Sequence, residues 1–130
     1  MTHPFGHIAC WVDITPSGAT ALAVARGLWS EAGGRLSLLH GASGRTEDPA
    51  GLQERWRRLR GEDLPGAEPV FLTGEHGASA CDWARLQDPD VIVIGADAGR
   101  LPGLEVGGLV DHLLEEAPCA VLVVPAPVRP

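Results

Sequence analysis

The chain has 130 residues, 45% of them hydrophobic and 21% charged, which suits one domain built on one core and sets it apart from disordered sequences. A net charge of −7 argues against nucleic acid or an anionic membrane as a partner, since both need a basic surface. All ten basic residues are Arg, and the lack of Lys removes Schiff-base chemistry and any lysine-dependent phosphate loop.

No run approaches the roughly eighteen apolar residues of a membrane span, and Met1-Thr2-His3-Pro4 lacks the basic and apolar segments of a secretory signal. A cytoplasmic protein is expected. Cys10, Cys81 and Cys119 are widely separated without C-x-x-C spacing, which reads as three reduced, mostly buried thiols.

In chain order, His7 to Val12 is a short apolar run ending at Asp13, the first strand. Thr15-Pro16 forms an N-cap followed by proline at the first helical position, where its missing N–H costs nothing. Leu22, Ala25, Leu28, Trp29 and Ala32 recur at helical spacing until Gly33-Gly34 stop the helix. Arg35 to His40 is a second strand, and Gly41 to Gly51 is a loop rich in turn residues.

Leu52, Trp56 and Leu59 mark a helix whose other face carries Arg55, Arg57, Arg58 and Arg60. That cluster is an anion site or, more simply, a solvated face. A third strand, Pro69 to Thr73, precedes a helix opened by Gly74 to Gly77 and running through Cys81, Ala84 and Leu86. Val91 to Ile94, with no polar alternation, suits a strand covered on both faces. After a glycine-bearing loop from Gly95 to Gly108, the stripe Val106, Leu109, Val110, Leu113, Leu114 and Ala117 predicts a helix, and Val121 to Val124 the last strand.

Strands alternating with helices imply a single α/β domain: a doubly wound, parallel, five-stranded sheet with helices on both faces. Strand order 3-2-1-4-5 puts the switch point between the first and fourth strands, whose carboxyl ends are Asp13 and Gly95. Ligands bind at such a point, so these two residues are expected to face one crevice. An acidic side chain there accepts hydrogen bonds from sugar hydroxyls or reaches a metal; alternatively, Asp13 caps the neighbouring helix turn.

Several segments resemble the universal stress protein family. Val12-Asp13, Thr15 and Ala21-Leu22 are similar to its opening strand, turn and helix, and Leu38-Leu39-His40 to its second-strand ending. Gly74 with Ala78 and Ala84 resembles its third-helix entry, Asp90 to Gly95 its fourth strand, and Ala117 to Val124 its closing strand. The resemblance implies the same sheet, a homodimer joined through the last strands and, in one branch, binding of ATP or AMP.

That branch carries Gly-x2-Gly-x9-Gly-Ser/Thr after the fourth strand. Gly107-Gly108 stands where its final pair belongs, but three residues separate Gly95 from Gly99, only seven separate Gly99 from Gly107, and Gly108 replaces the hydroxyl. Backbone N–H groups at Gly107, Gly108 and Leu109 would still favour an anion. With Asp97 and Glu105 in the loop and only Arg100 to offset them, a triphosphate would need a metal such as magnesium, whereas a monophosphate or nucleoside is easier to hold.

By the resemblance, Ile14 and Gly41 line the base pocket, and Gly41, in place of the family's aliphatic residue, leaves that wall roomier or made of backbone alone. The candidate binding residues are therefore Asp13, Ile14, Gly41, Gly95, Gly99, Gly107 and Gly108. His40 reads as a core or rim histidine, and His76 and His112, on different predicted helices, do not suggest a zinc site. No assembled nucleophile and base is found, so a binding module is expected before a nucleotide hydrolase. A third possibility is a dimer whose crevice is filled and holds no small ligand.

Overall fold

A computed structural model describes residues 5–13, 15–41, 64, 66–98 and 108–126. Five parallel strands are β1 (His7–Trp11), β2 (Arg35–Gly41), β3 (Glu68–Leu72), β4 (Val91–Gly95) and β5 (Ala120–Val124). Their order across the sheet is β3-β2-β1-β4-β5, the doubly wound order expected from the sequence. Three helices among the described residues are α1 (Pro16–Ala32), α2 (His76–Gln87) and α3 (Leu109–Glu116). The expected helix over Leu52 to Leu59, with its arginine cluster, lies outside the described residues.

The central strands are uniformly apolar because both faces are covered. Ile8, Cys10, Leu36, Leu38, Val91 and Val93 face α1, while Ala9, Trp11, Leu39, Ile92 and Ile94 face α2 and α3. Ile8, Leu36, Leu38 and Ile92 are wholly buried, and each such side chain stabilises the fold by about 1.5–3 kcal/mol. Pro69 falls inside β3 instead of opening it. That strand is at a sheet edge, where a missing N–H breaks no ladder.

α1 begins as its sequence demands. Thr15 is the N-cap, its side chain accepts the Gly18 N–H, and Pro16 follows. At the other end Gly33 adopts φ 73°, and its N–H closes on the Trp29 carbonyl at 2.8 Å. The buried seam differs from the expected stripe: Ser17, Gly18, Ala21 and Ala25 are buried, while Leu22, Leu28 and Trp29 pack at the rim. Small residues in the seam let the helix lie close on β1 and β4.

α2 is capped by Glu75, whose carboxylate accepts the N–H groups of Gly77 (2.9 Å) and Ala78 (2.7 Å). These two bonds hold the Glu75 carboxyl below the usual glutamate range. All three cysteines are free, and burial pushes the Cys10 thiol far above its ordinary value, the nearby Asp13 charge adding to the shift. No helix among the described residues is long and apolar enough to cross a membrane.

Candidate functional site

β1 and β4 lie side by side and run the same way, with Ile8 opposite Val91, Ala9 opposite Ile92 and Cys10 opposite Val93. The carboxyl ends of both strands, and the amino ends of all three described helices, therefore share one edge of the sheet.

Asp13 leaves β1 at that edge, half-buried. Its Oδ1 accepts the Thr15 N–H at 3.0 Å and the Thr15 hydroxyl at 2.6 Å. One carboxylate oxygen thus does cap the turn into α1. The other, Oδ2, is buried without a hydrogen-bond partner among the described residues. A buried acceptor left unmade costs about 1–3 kcal/mol, so this atom marks a place where a donor from outside the described residues fits.

At the end of β4, the bare Gly95 meets the first turn of α1. A Cβ on Gly95 would lie 2.5 Å from Ser17 Oγ and 2.7–2.8 Å from the Ser17 carbonyl carbon and oxygen. Glycine here permits close helix–strand packing. On the other side of the same turn, a Cβ on Gly18 would run into Asp13 Oδ1. Asp13 and Gly95 therefore flank one helical turn, Asp13 against Gly18 and Gly95 against Ser17. The Ser17 hydroxyl is wholly buried and accepts the Asp97 N–H at 2.8 Å, tying the loop that leaves β4 to α1.

One strand over, Gly41 ends β2, and two side chains lie close to its bare Cα. A Cβ there would sit 2.7 Å from both Trp11 Cη2 and His76 Nε2. The two rings occupy that space, centroids 5.2 Å apart and planes tilted by 48°. Behind them His112 of α3 packs on Gly77 of α2, whose added Cβ would approach the imidazole to 2.7 Å. The two histidines on separate helices are thus brought to the same edge.

Gly108 is the N-cap of α3 at φ 152° and ψ −24°, with no side-chain cap on the helix and nothing described within 4 Å of the point a Cβ would occupy. No described side chain caps the amino-terminal N–H groups of α3, and such groups favour an anion. Ile14, Gly99 and Gly107 lie outside the described residues. Sequence reasoning passes over Ser17, reads Trp11 only as part of a strand, and weighs His76 only as a zinc ligand, missing that the two rings meet beside Gly41. Only Ser17 has a local signal, a hydroxyl two residues past the N-cap in a turn already singled out.

Among the described residues no three His, Cys, Asp or Glu side chains form a metal-holding group. His40 is a buried rim residue, its ring 5.8 Å from that of Phe71. A shallow open depression of about 690 Å³, lined by Arg26, Trp29, Gly33 and Leu64 among others, lies elsewhere. Gly34 beside it abuts Gly6, ahead of β1, so it belongs to the amino edge of the sheet, away from the strand ends where α/β ligands bind.

The sequence model of the Universal stress protein family matches residues 4–125. No curated protein matches the chain in sequence. Among solved structures it is similar to universal stress protein UspA from Lactobacillus plantarum (TM-score 0.70, 19% identity, 92% of this chain and 97% of that one). It is also similar to the universal stress protein from Archaeoglobus fulgidus in complex with dAMP (0.65, 21%, 95% and 99%). A third is a universal stress family protein from Arabidopsis thaliana with AMP bound (0.67, 15%, 94% and 92%). At these identities the structural likeness is one of fold.

Proposed function

Because the chain belongs to the universal stress protein family, we propose that it is a cytosolic, dimeric binding module that holds an adenine nucleotide, AMP before ATP, at the carboxyl edge between β1 and β4. The observation that carries this is Asp13 Oδ2, a buried acceptor with no donor among the described residues. A sugar hydroxyl supplies one. The uncapped start of α3 at Gly108, with Gly107 before it, offers N–H groups to a phosphate. Relatives solved with AMP and dAMP support the same class of ligand. Asp13 and Asp97 disfavour a triphosphate unless magnesium accompanies it. For the dimer, β5 is an edge strand whose Ala120 and Leu122 are exposed, consistent with pairing through the last strand.

A second reading, a dimer that holds no nucleotide, is favoured by Trp11 and His76, which fill the space beside Gly41. One experiment separates the two. Material released from the purified protein by heat is identified by absorbance and mass, and ATP, AMP and adenosine are titrated calorimetrically with and without magnesium. Binding of AMP that Asp13→Ala weakens at least about tenfold, the loss of one charge-assisted hydrogen bond, supports the nucleotide module. A calorimetric blank with all three ligands leaves the ligand-free dimer. Light scattering of the same samples, with Leu122→Arg as the control, reports the oligomer.

A further inference from the structure

We infer that Ser17 is a positioning residue: its buried hydroxyl couples the loop leaving β4 to the Asp13 carboxylate, and so sets which Asp13 oxygen faces a ligand. The inference rests on the proposed role of Asp13. Counting protons fixes the direction of the path. A carboxylate has no proton to give, so Asp13 Oδ1 accepts both the Thr15 N–H at 3.0 Å and the Thr15 hydroxyl at 2.6 Å, and Thr15 spends its one proton there. Thr15 Oγ1 must therefore accept in its 3.4 Å contact with Ser17, and Ser17 donates. Ser17 in turn accepts the Asp97 N–H at 2.8 Å.

A directed chain thus runs from Asp97 through Ser17 and Thr15 to Asp13. It joins the exits of two adjacent strands through the first turn of α1. Gly95 holds Ser17 in place by admitting it within a distance that no Cβ would tolerate. The Ser17–Thr15 link, at 3.4 Å, is the longest step, so it is where a small shift of the β4 loop changes the path most. With Oδ1 held by two donors, Oδ2 is the oxygen left buried and open to a donor from a ligand. A ligand group that displaces the backbone at Asp97 therefore alters the footing of the carboxylate that meets the ligand's other end.

Two measurements test this. In ligand-free, isotope-labelled protein, Asp13→Asn is expected to shift the Asp97 amide resonance, and the shift is expected to vanish in a Ser17→Ala background. Thr15→Val, which interrupts the same path one step later, is expected to give the same silence and serves if Ser17→Ala does not fold. An Asp97 resonance that ignores Asp13→Asn, or follows it equally with and without Ser17, overturns the coupling whether or not any ligand binds. The second measurement compares AMP with 2′,3′-dideoxyadenosine monophosphate, which lacks the sugar donors. Ser17→Ala is expected to cut the preference for AMP by about three- to tenfold while leaving affinity for the dideoxy compound unchanged. A preference abolished by Asp13→Ala but intact in Ser17→Ala sinks the positioning role and leaves the proposed function standing. A preference untouched by Asp13→Ala sinks the proposed function, and the amide shifts still judge the coupling.

Discussion

Trp11 and His76 meet ring to ring across the bare Cα of Gly41, their centroids 5.2 Å apart. Trp11 is 3% exposed and cannot move without disturbing the sheet, whereas His76, at the first position of α2, is half-buried. Gly41→Val, the aliphatic choice at this strand end, puts atoms within 2.7 Å of both rings. Overpacking of this kind costs about 1–3 kcal/mol, a fall in Tm of about 3–10 °C for a domain of this size. Adding His76→Ala to Gly41→Val is expected to recover part of the loss, because one of the two obstructing rings is gone. Thermal unfolding of the two variants checks this, and an unchanged Tm for Gly41→Val shows that the rings do not pack there.

Gly95→Ala is expected to do more damage, since two of the three atoms its Cβ would meet are backbone. The carbonyl carbon and oxygen of Ser17 lie 2.7 and 2.8 Å away, so the start of α1 has to lift from β4. The expected loss is about 2–3 kcal/mol, measured by urea unfolding. Ser17→Ala combined with Gly95→Ala is not expected to restore stability, because it removes Oγ and leaves both backbone atoms. A full rescue points to the hydroxyl alone as the obstruction.

These two positions also show where the sequence stops being legible. The apolar runs at Ile8 and Ile92, the Thr15-Pro16 entry and the Gly33 exit are local signals, and each fixes an element without reference to its neighbours. Parallel strands follow from the alternation of elements and the handedness of crossovers, whereas the order 3-2-1-4-5 is one of the common doubly wound arrangements and the one that the family resemblance implies. What periodicity does not encode is the distance between residues that different crossovers bring together. Ser17 meets Asp97 across 80 positions of chain, and Trp11 meets His76 after two intervening strands. The absent side chain at Gly41 reads as empty space in the sequence because its fillers come from elsewhere in the chain. The Asp13 carboxylate is legible as a strand-end acid, either a ligand or a cap; that one oxygen caps while the other has no partner among the described residues depends on Thr15 geometry.

At the amino edge, His7 is buried, its Nε2 2.8 Å from Ser37 Oγ and its ring edge-on to Trp83 at 5.7 Å. Burial holds the imidazole below its ordinary value, the Arg35 charge pushing the same way, against opposing contributions from the Gln87 backbone, Glu68 and Asp90. The folded protein thus binds the proton less readily than the unfolded chain does. The resulting stability is present above the unfolded-state value near 6.5 and is lost as pH falls from there through the lower folded value. The urea midpoint is expected to drop as the pH falls below about 6.5, and to drop less in His7→Gln. Because other ionisable groups respond to pH in the same experiment, the difference between the two profiles is the measurement. Identical slopes show that His7 does not take part.

Gly108 bears on one of the places where the glycine loop departs from the nucleotide-binding branch it resembles, the lost hydroxyl. Restoring the hydroxyl with Gly108→Ser meets no steric obstacle among the described residues, since none lies within 4 Å of the added Cβ. The obstacle is the backbone: φ 152° with ψ −24° is a conformation that residues with a Cβ rarely adopt. Holding serine there costs about 1–3 kcal/mol, so a lower Tm is expected despite the better N-capping propensity of serine. If the backbone relaxes instead, the Leu109 N–H and its neighbours turn away from the orientation that serves an anion, and AMP affinity falls with stability. Calorimetry and thermal unfolding of the one variant decide the matter: a Gly108→Ser protein that is as stable as the parent and binds AMP more tightly would mean that the glycine is only a missing hydroxyl.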